Sequence, residues 1–256
     1  MEYPTNQAFL RGSLLELPAF SHESGGDRFY RFLLEVPRLS GAVDTLPVIV
    51  RERILETLDL SGGRMLAVTG QIRSHNLRRE DGRRLLIFVF AQTLTAEDGP
   101  PANDIALCGS LCRDSNYRKT PLGREICDVM LAVPRTTRRA DYIPCILWGS
   151  TAQLGARCRT RDRLSIQGRL QSRVYTKLTE DGAQERTAYE VSALTAQTEE
   201  NPFLCWNENR AEMWYSEEKQ KRMLILWKRK FRPFWKFWKT AIRNPCAPCI
   251  TERTMS

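Results

Sequence analysis

The chain of 256 residues has only two histidines, His22 and His75. Their scarcity removes the commonest general acid–base group and the commonest nitrogen ligand of zinc. Eight cysteines are present, but the single CxxC, Cys246 to Cys249, has no second pair and no histidine nearby, so a zinc spacing is not met. A phosphate-cradling glycine-rich loop, an HExxH and a GxSxG are all missing, which excludes the usual marks of nucleotide-, metal- and serine-dependent catalysis. The expectation is a protein that is not an enzyme and needs no metal or cofactor. No apolar run approaches the roughly 18 to 20 residues that span a bilayer. The opening MEYPTNQAFL lacks the basic and apolar regions of a signal peptide, which predicts a cytoplasmic protein with reduced thiols.

What the sequence does contain is a repeat, and a repeated supersecondary pattern fixes architecture before any single residue is interpreted. LRGSL at Leu10 to Leu14 lies 97 positions before LCGSL at Leu107 to Leu111, and LLEVPR at Leu33 to Arg38 lies 97 before MLAVPR at Met130 to Arg135. The same offset links Asp44 to Asp141 and LPVI, Leu46 to Ile49, to IPCI, Ile143 to Ile146. It becomes 98 where VTGQIRS, Val68 to Ser74, meets IQGRLQS, Ile166 to Ser172, and 100 where REDG at Arg79 meets TEDG at Thr179. Each of these last two stretches separates alternating runs and predicts a hairpin turn. The chain therefore divides into a domain over residues 5–97, a linker over 98–102, a second domain over 103–198 and an extension over 199–256.

Periodicity sets the class. In the second copy IALCGSLCRD, EICDVMLAV, YIPCILW, RLSIQGRLQSRVY and RTAYEVSAL are five runs of strand length and largely alternating character. The short, alanine-bearing GSTAQLGAR lies between the third and fourth. Five strands with one helix after the third describe a small closed barrel of the oligonucleotide-binding (OB) type, in which closure removes exposed sheet edges. The fold class is thus all-β, two tandem five-stranded OB barrels each with one short helix after strand three. An immunoglobulin-like sandwich would want more strands and no helix.

Residues 103–194 resemble the single-stranded DNA-binding protein (SSB) family of bacteria. The residues that carry the likeness are the first hairpin, with Gly109, Arg113, Asp114, Arg118 and the TPLG of Thr120 to Gly123, and then RADYIPCILWGSTAQLG, DRLSIQGRLQSRVY and TAYEVSAL. The first copy resembles the family more weakly, keeping Gly12, Val36, Pro47 and GQIRS but lacking the hairpin signature and the tryptophan of strand three. The resemblance implies a homodimer, two chains supplying four barrels, that binds single-stranded DNA and works with replication or repair proteins.

Binding single strands without reading sequence needs aromatic faces for bases and a cationic track for phosphates. The second copy offers Trp148, Tyr175 and Tyr189 at strand ends or on the hairpin, positions where the resemblance places stacking residues. Phe88 is at or beside the first-copy equivalent of Tyr189. The cationic candidates are Arg118, Lys119, Arg135, Arg138, Arg139, Arg173 and Lys177. From Asp104 to Lys177 there are 14 Lys or Arg against 6 Asp or Glu, whereas residues 1–103 hold 12 against 13, so only the second barrel is basic. In the first copy, Arg51 stands 97 positions before Trp148 and Tyr175 maps near Leu77. That barrel is expected to have a lesser role in binding, through charge, or to serve as a pairing surface. The rival reading of the whole chain is an OB protein-interaction module with little affinity for DNA.

Beyond residue 200 the chain holds five of its six tryptophans and 12 basic against 5 acidic residues. KQKRMLILWKRKFRPFWKFWK, Lys219 to Lys239, puts Trp227, Phe231, Trp235 and Trp238 on one helical face that Pro233 should kink. Such a segment suits an anionic membrane surface, a second nucleic-acid contact, or an extension with no role of its own. It is unlike the acidic tail with an apolar tip through which SSB proteins recruit partners.

Overall fold

The computed structural model describes residues 5–56, 58, 60, 65–79, 82–137, 139–179 and 182–198. The Trp-rich extension, on which the membrane and helix expectations fall, lies outside the described residues, as does Arg138.

Twelve strands form one continuous sheet that is wound into two barrels. The first barrel is built from β1 (Asn6–Leu14), β2 (Ala19–Ser24), β3 (Asp27–Pro37), β4 (Val43–Arg51), the single-turn α1 (Glu52–Leu55), β5 (Met65–Arg79) and β6 (Gly82–Ala96). The second repeats the order with β7 (Ala102–Leu111), β8 (Asn116–Lys119), β9 (Glu125–Pro134), β10 (Ala140–Trp148), α2 (Ser150–Arg157), β11 (Arg163–Thr179) and β12 (Gly182–Thr198). Five strands close each ring: β1 meets β3, β3 meets β4, β4 runs parallel to β6, β6 meets β5 and β5 returns to β1. β7, β9, β10, β12 and β11 close the same way. The short β2 and β8 add a sixth strand to each copy, paired only along β3 and β9.

Alternation explains the closure. In β4 every second residue, Asp44, Leu46, Val48 and Val50, is fully buried, and each such aliphatic side chain contributes about 1.5–3 kcal/mol on leaving water. Gly168 sits where β11 bends, at the register shift beside Gln167. A Cβ there would lie 2.1 Å from the Ser192 carbonyl oxygen, and Gly70 in β5 faces the Phe90 carbonyl at 2.2 Å. Only glycine lets the two strands approach so closely at the barrel corner. The β5–β6 and β11–β12 ladders run to Arg79 opposite Gly82 and Thr179 opposite Gly182.

The barrels join edge to edge through antiparallel β1 and β7. Asn6 pairs with Leu107, Leu10 with Asn103, and Ala8 with Ile105. Exchanging each residue for its repeat equivalent turns the Asn6–Leu107 pair into Asn103–Leu10 and returns Ala8–Ile105 to itself, so a local two-fold axis passes between Ala8 and Ile105. The side-chain contacts obey the same axis. Asn6 brackets the backbone of Ile72, accepting its N–H at 2.8 Å and donating to its carbonyl at 2.7 Å. Asn103 does the same to Leu170 at 2.9 and 2.7 Å. Asp44, fully buried, accepts the Ser172 N–H of the other barrel at 2.8 Å and pairs with Arg38. Asp141, also fully buried, accepts the Ser74 N–H at 2.6 Å and pairs with Arg135 and Arg73.

Candidate nucleic-acid interface

Trp148 ends β10, and α2 starts two residues later. Gly149, at φ 55° and ψ −122°, makes the sharp turn between them, a conformation costly for any residue with a Cβ. Three hydrogen bonds fix the tryptophan. Its backbone N–H donates to Thr151 Oγ1 at 2.9 Å, Thr151 Oγ1 donates to its carbonyl at 2.8 Å, and its indole Nε1–H donates to Ser192 Oγ on β12 at 3.0 Å. The side chain remains 38% exposed. A satisfied indole N–H with a solvent-facing ring is the arrangement a stacking platform requires.

Register shows what shares that face. Ser192 lies opposite Arg169, Glu190 opposite Gln171, Ala188 opposite Arg173 and Arg186 opposite Tyr175. These residues lie on the parity opposite the core residues Leu170 and Val191; Ser192, Glu190 and Gln171 are buried on that side, while Arg173 and Tyr175 are exposed on it. Arg173 lies 5.9 Å from the Tyr175 ring centre and 3.4 Å from the Glu190 carboxylate, which also accepts Gln171 Nε2–H at 2.9 Å. Tyr175 is 39% exposed. Lys177 follows on β11, opposite Gln184. Trp148, Arg173 and Tyr175 thus lie along one outer surface.

Tyr189 faces the other way. It stands opposite Ser172 on the core parity of the hairpin and packs on the hydrophobic core. Burial pushes its phenol up, and Arg84 of the first barrel pulls it the opposite way. Arg135 is committed to the barrel junction, donating to Asp141 and, at 3.0 Å, to the Ser74 carbonyl. Arg118 and Lys119 lie on β8, paired across to Asp128 at 3.0 Å and Glu125 at 3.6 Å. Hydrogen bonds from Tyr117 and then Gln153 hold the Glu125 carboxyl below its ordinary range. Both cations remain about half-exposed or more, and such surface pairs contribute little to stability. Arg139 is exposed just before β10, and its carbonyl accepts the Arg135 N–H at 2.7 Å.

The first barrel is arranged differently at the equivalent place. Arg51 ends β4 opposite Phe29, as Trp148 ends β10 opposite Ile126. Counting from the paired corners, Gly70 with Ala91 and Gly168 with Ala193, the equivalent of Ser192 is Phe90, that of Glu190 is Phe88, and that of Tyr189 is Ile87. Phe88 and Phe90 both face outward, since Ile87, Val89 and Ala91 are core. Sequence offsets miss this match because they drift between β4 and β6. Ser192 carried no sequence signal of its own.

Residues 102–198 match the model of the single-strand binding protein family. Single-stranded DNA-binding protein B of Bacillus subtilis is 35% identical over 80 residues, 28% of this chain and 71% of that protein. Single-stranded DNA-binding protein 3 of Clostridium acetobutylicum is 32% identical over 111 residues, 41% of this chain and 72% of that one. The fold is similar to the crystal structure of the wild-type single-stranded DNA binding protein from Thermus aquaticus, with a TM-score of 0.63 and 23% identity over 77% of this chain and 93% of that chain.

Proposed function

Because the chain belongs to the single-strand binding protein family, we propose that it binds single-stranded DNA along the outer face of the second barrel, without reading base sequence. Trp148 carries the reading: a half-exposed indole anchored by Ser192, with Tyr175 and Arg173 on the same surface. Bases stack on Trp148 and Tyr175. Arg173, Lys177, Arg139 and Arg138 take the phosphates, with Arg118 and Lys119 at the β8 edge. The chain then acts by covering and organising single strands during replication, recombination or repair rather than by catalysis. Two copies supply four barrels, and the dimer is the working unit.

Fluorescence anisotropy with labelled oligo-dT tests this on the full chain. Trp148→Ala is expected to weaken binding by about 1–3 kcal/mol, the contribution of one stacked base, and affinity is expected to fall with log salt at a slope of roughly 0.7 per phosphate contact. Unchanged affinity in Trp148→Ala refutes the assigned face, and a wild-type chain that fails to retain oligo-dT leaves the protein-interaction module as the function.

A further inference from the structure

The first barrel lacks a tryptophan at the end of β4, yet flat faces converge there from other strands. The His22 ring lies on the Phe29 ring with centres 4.8 Å apart and planes 12° from parallel. Phe29 meets Phe90 at 5.9 Å, and the Arg51 guanidinium carbon lies 5.9 Å from the centre of each. These residues come from β2, β3, β4 and β6 and share the outer face with Phe88 and the exposed Arg31. Barrel 2 puts its aromatic on β10 and a small polar partner, Ser192, on β12. Barrel 1 exchanges the two, with the cation on β4 and the aromatic, Phe90, on β6.

Two members of the cluster face solvent. His22 is exposed, with Nδ1 3.1 Å from Ser21 Oγ. Arg51 is 35% exposed, and its Nε lies 3.4 Å from the Asp27 carboxylate. A planar imidazole backed by a phenyl ring, beside a guanidinium that is itself a planar cation, suits a nucleobase above and a phosphate alongside. We propose that the first barrel has its own stacking site for an unpaired nucleobase, formed by His22 and Arg51 over Phe29 and Phe90, so that one strand is held by both barrels. This rests on the reading that the chain binds single-stranded DNA.

Titration of poly(dT) with the full chain measures the length occluded per chain, and a labelled oligo-dT of about 35 nucleotides, longer than the roughly 4–16 covered by one OB fold, measures affinity. His22→Ala is expected to shorten the occluded length and weaken the long oligomer about fivefold, the lower end of one lost stack. His22→Tyr, which keeps a flat ring, is expected to restore both. Wild-type occluded length and affinity in His22→Ala, while Trp148→Ala weakens binding, overturn the first-barrel site and leave the second-barrel reading standing. Failure of His22→Tyr to restore binding lost in His22→Ala also overturns it. Absence of oligo-dT binding by the wild-type chain overturns both readings together.

Discussion

The Asp141 carboxylate of the second barrel accepts the Ser74 backbone N–H of the first at 2.6 Å, and does so with no exposure to solvent. Burial alone would raise this carboxyl, but hydrogen bonds from Arg135, the Ser74 N–H and Arg73 outweigh it and hold the group below its ordinary range. A lowered folded-state pKa means that its stabilisation is complete above the unfolded value, about 3.9, and is lost as pH falls through the lower folded value. Denaturant melts from pH 7 to pH 2 should therefore show a loss of stability below about pH 4 that is reduced in Asp141→Asn. Asp141→Ala strips two arginines of their partner and should cost about 3–5 kcal/mol at pH 7.

Ser192 holds the indole of Trp148 through one hydrogen bond. Ser192→Ala should lower stability by about 1 kcal/mol and weaken oligo-dT binding by less than Trp148→Ala does. Ser192→Thr, which retains the hydroxyl, should bind close to wild type. Chemical denaturation and anisotropy on the same preparations separate the two effects.

Gly168→Ala places a methyl 2.1 Å from the Ser192 carbonyl oxygen, and Gly70→Ala places one 2.2 Å from that of Phe90. Backbone rather than a flexible side chain blocks each, so both substitutions should cost at least about 2 kcal/mol. Gly149→Ala meets no atom within 4 Å and should lose about 1–3 kcal/mol from its positive φ alone. Urea midpoints for the three variants test the order.

Thiol chemistry should follow burial. Cys145 is fully enclosed, and burial with the nearby Glu190 carboxylate pushes its thiol up. Cys112 is exposed, and its smaller upward push also comes from burial. Iodoacetamide at pH 7.5 followed by peptide mapping should label Cys112 well before Cys145 in the folded chain, with the difference vanishing in denaturant.

The two barrels were legible in the sequence because core alternation and the corner glycines repeat at nearly constant spacing. Closure into five-stranded rings followed from strand count and the helix after strand three. β2 and β8 were less visible, since their residues are exposed and carry little alternation, as in AFSHES. Within the candidate interface, Trp148 and Tyr175 could be selected by residue type and strand-end position, but the inward facing of Tyr189 depends on parity across the bulge at Gln167. The commitment of Arg135 was hidden for a different reason. Its partner Asp141 is six residues away, but the Ser74 carbonyl that completes the arrangement comes from the other barrel.

The reciprocal register of β1 and β7 carries a consequence for how the chain assembles. An edge that matches its own repeat equivalent also matches the same edge on every other copy, so newly formed barrels of different molecules compete for it. The connection from Glu97 to Pro101 is short enough to give the partner on the same chain a high effective concentration, and intramolecular pairing wins at low protein concentration. Refolding in concentrated solution should divert chains into exchanged oligomers whose subunits are joined by these same strands.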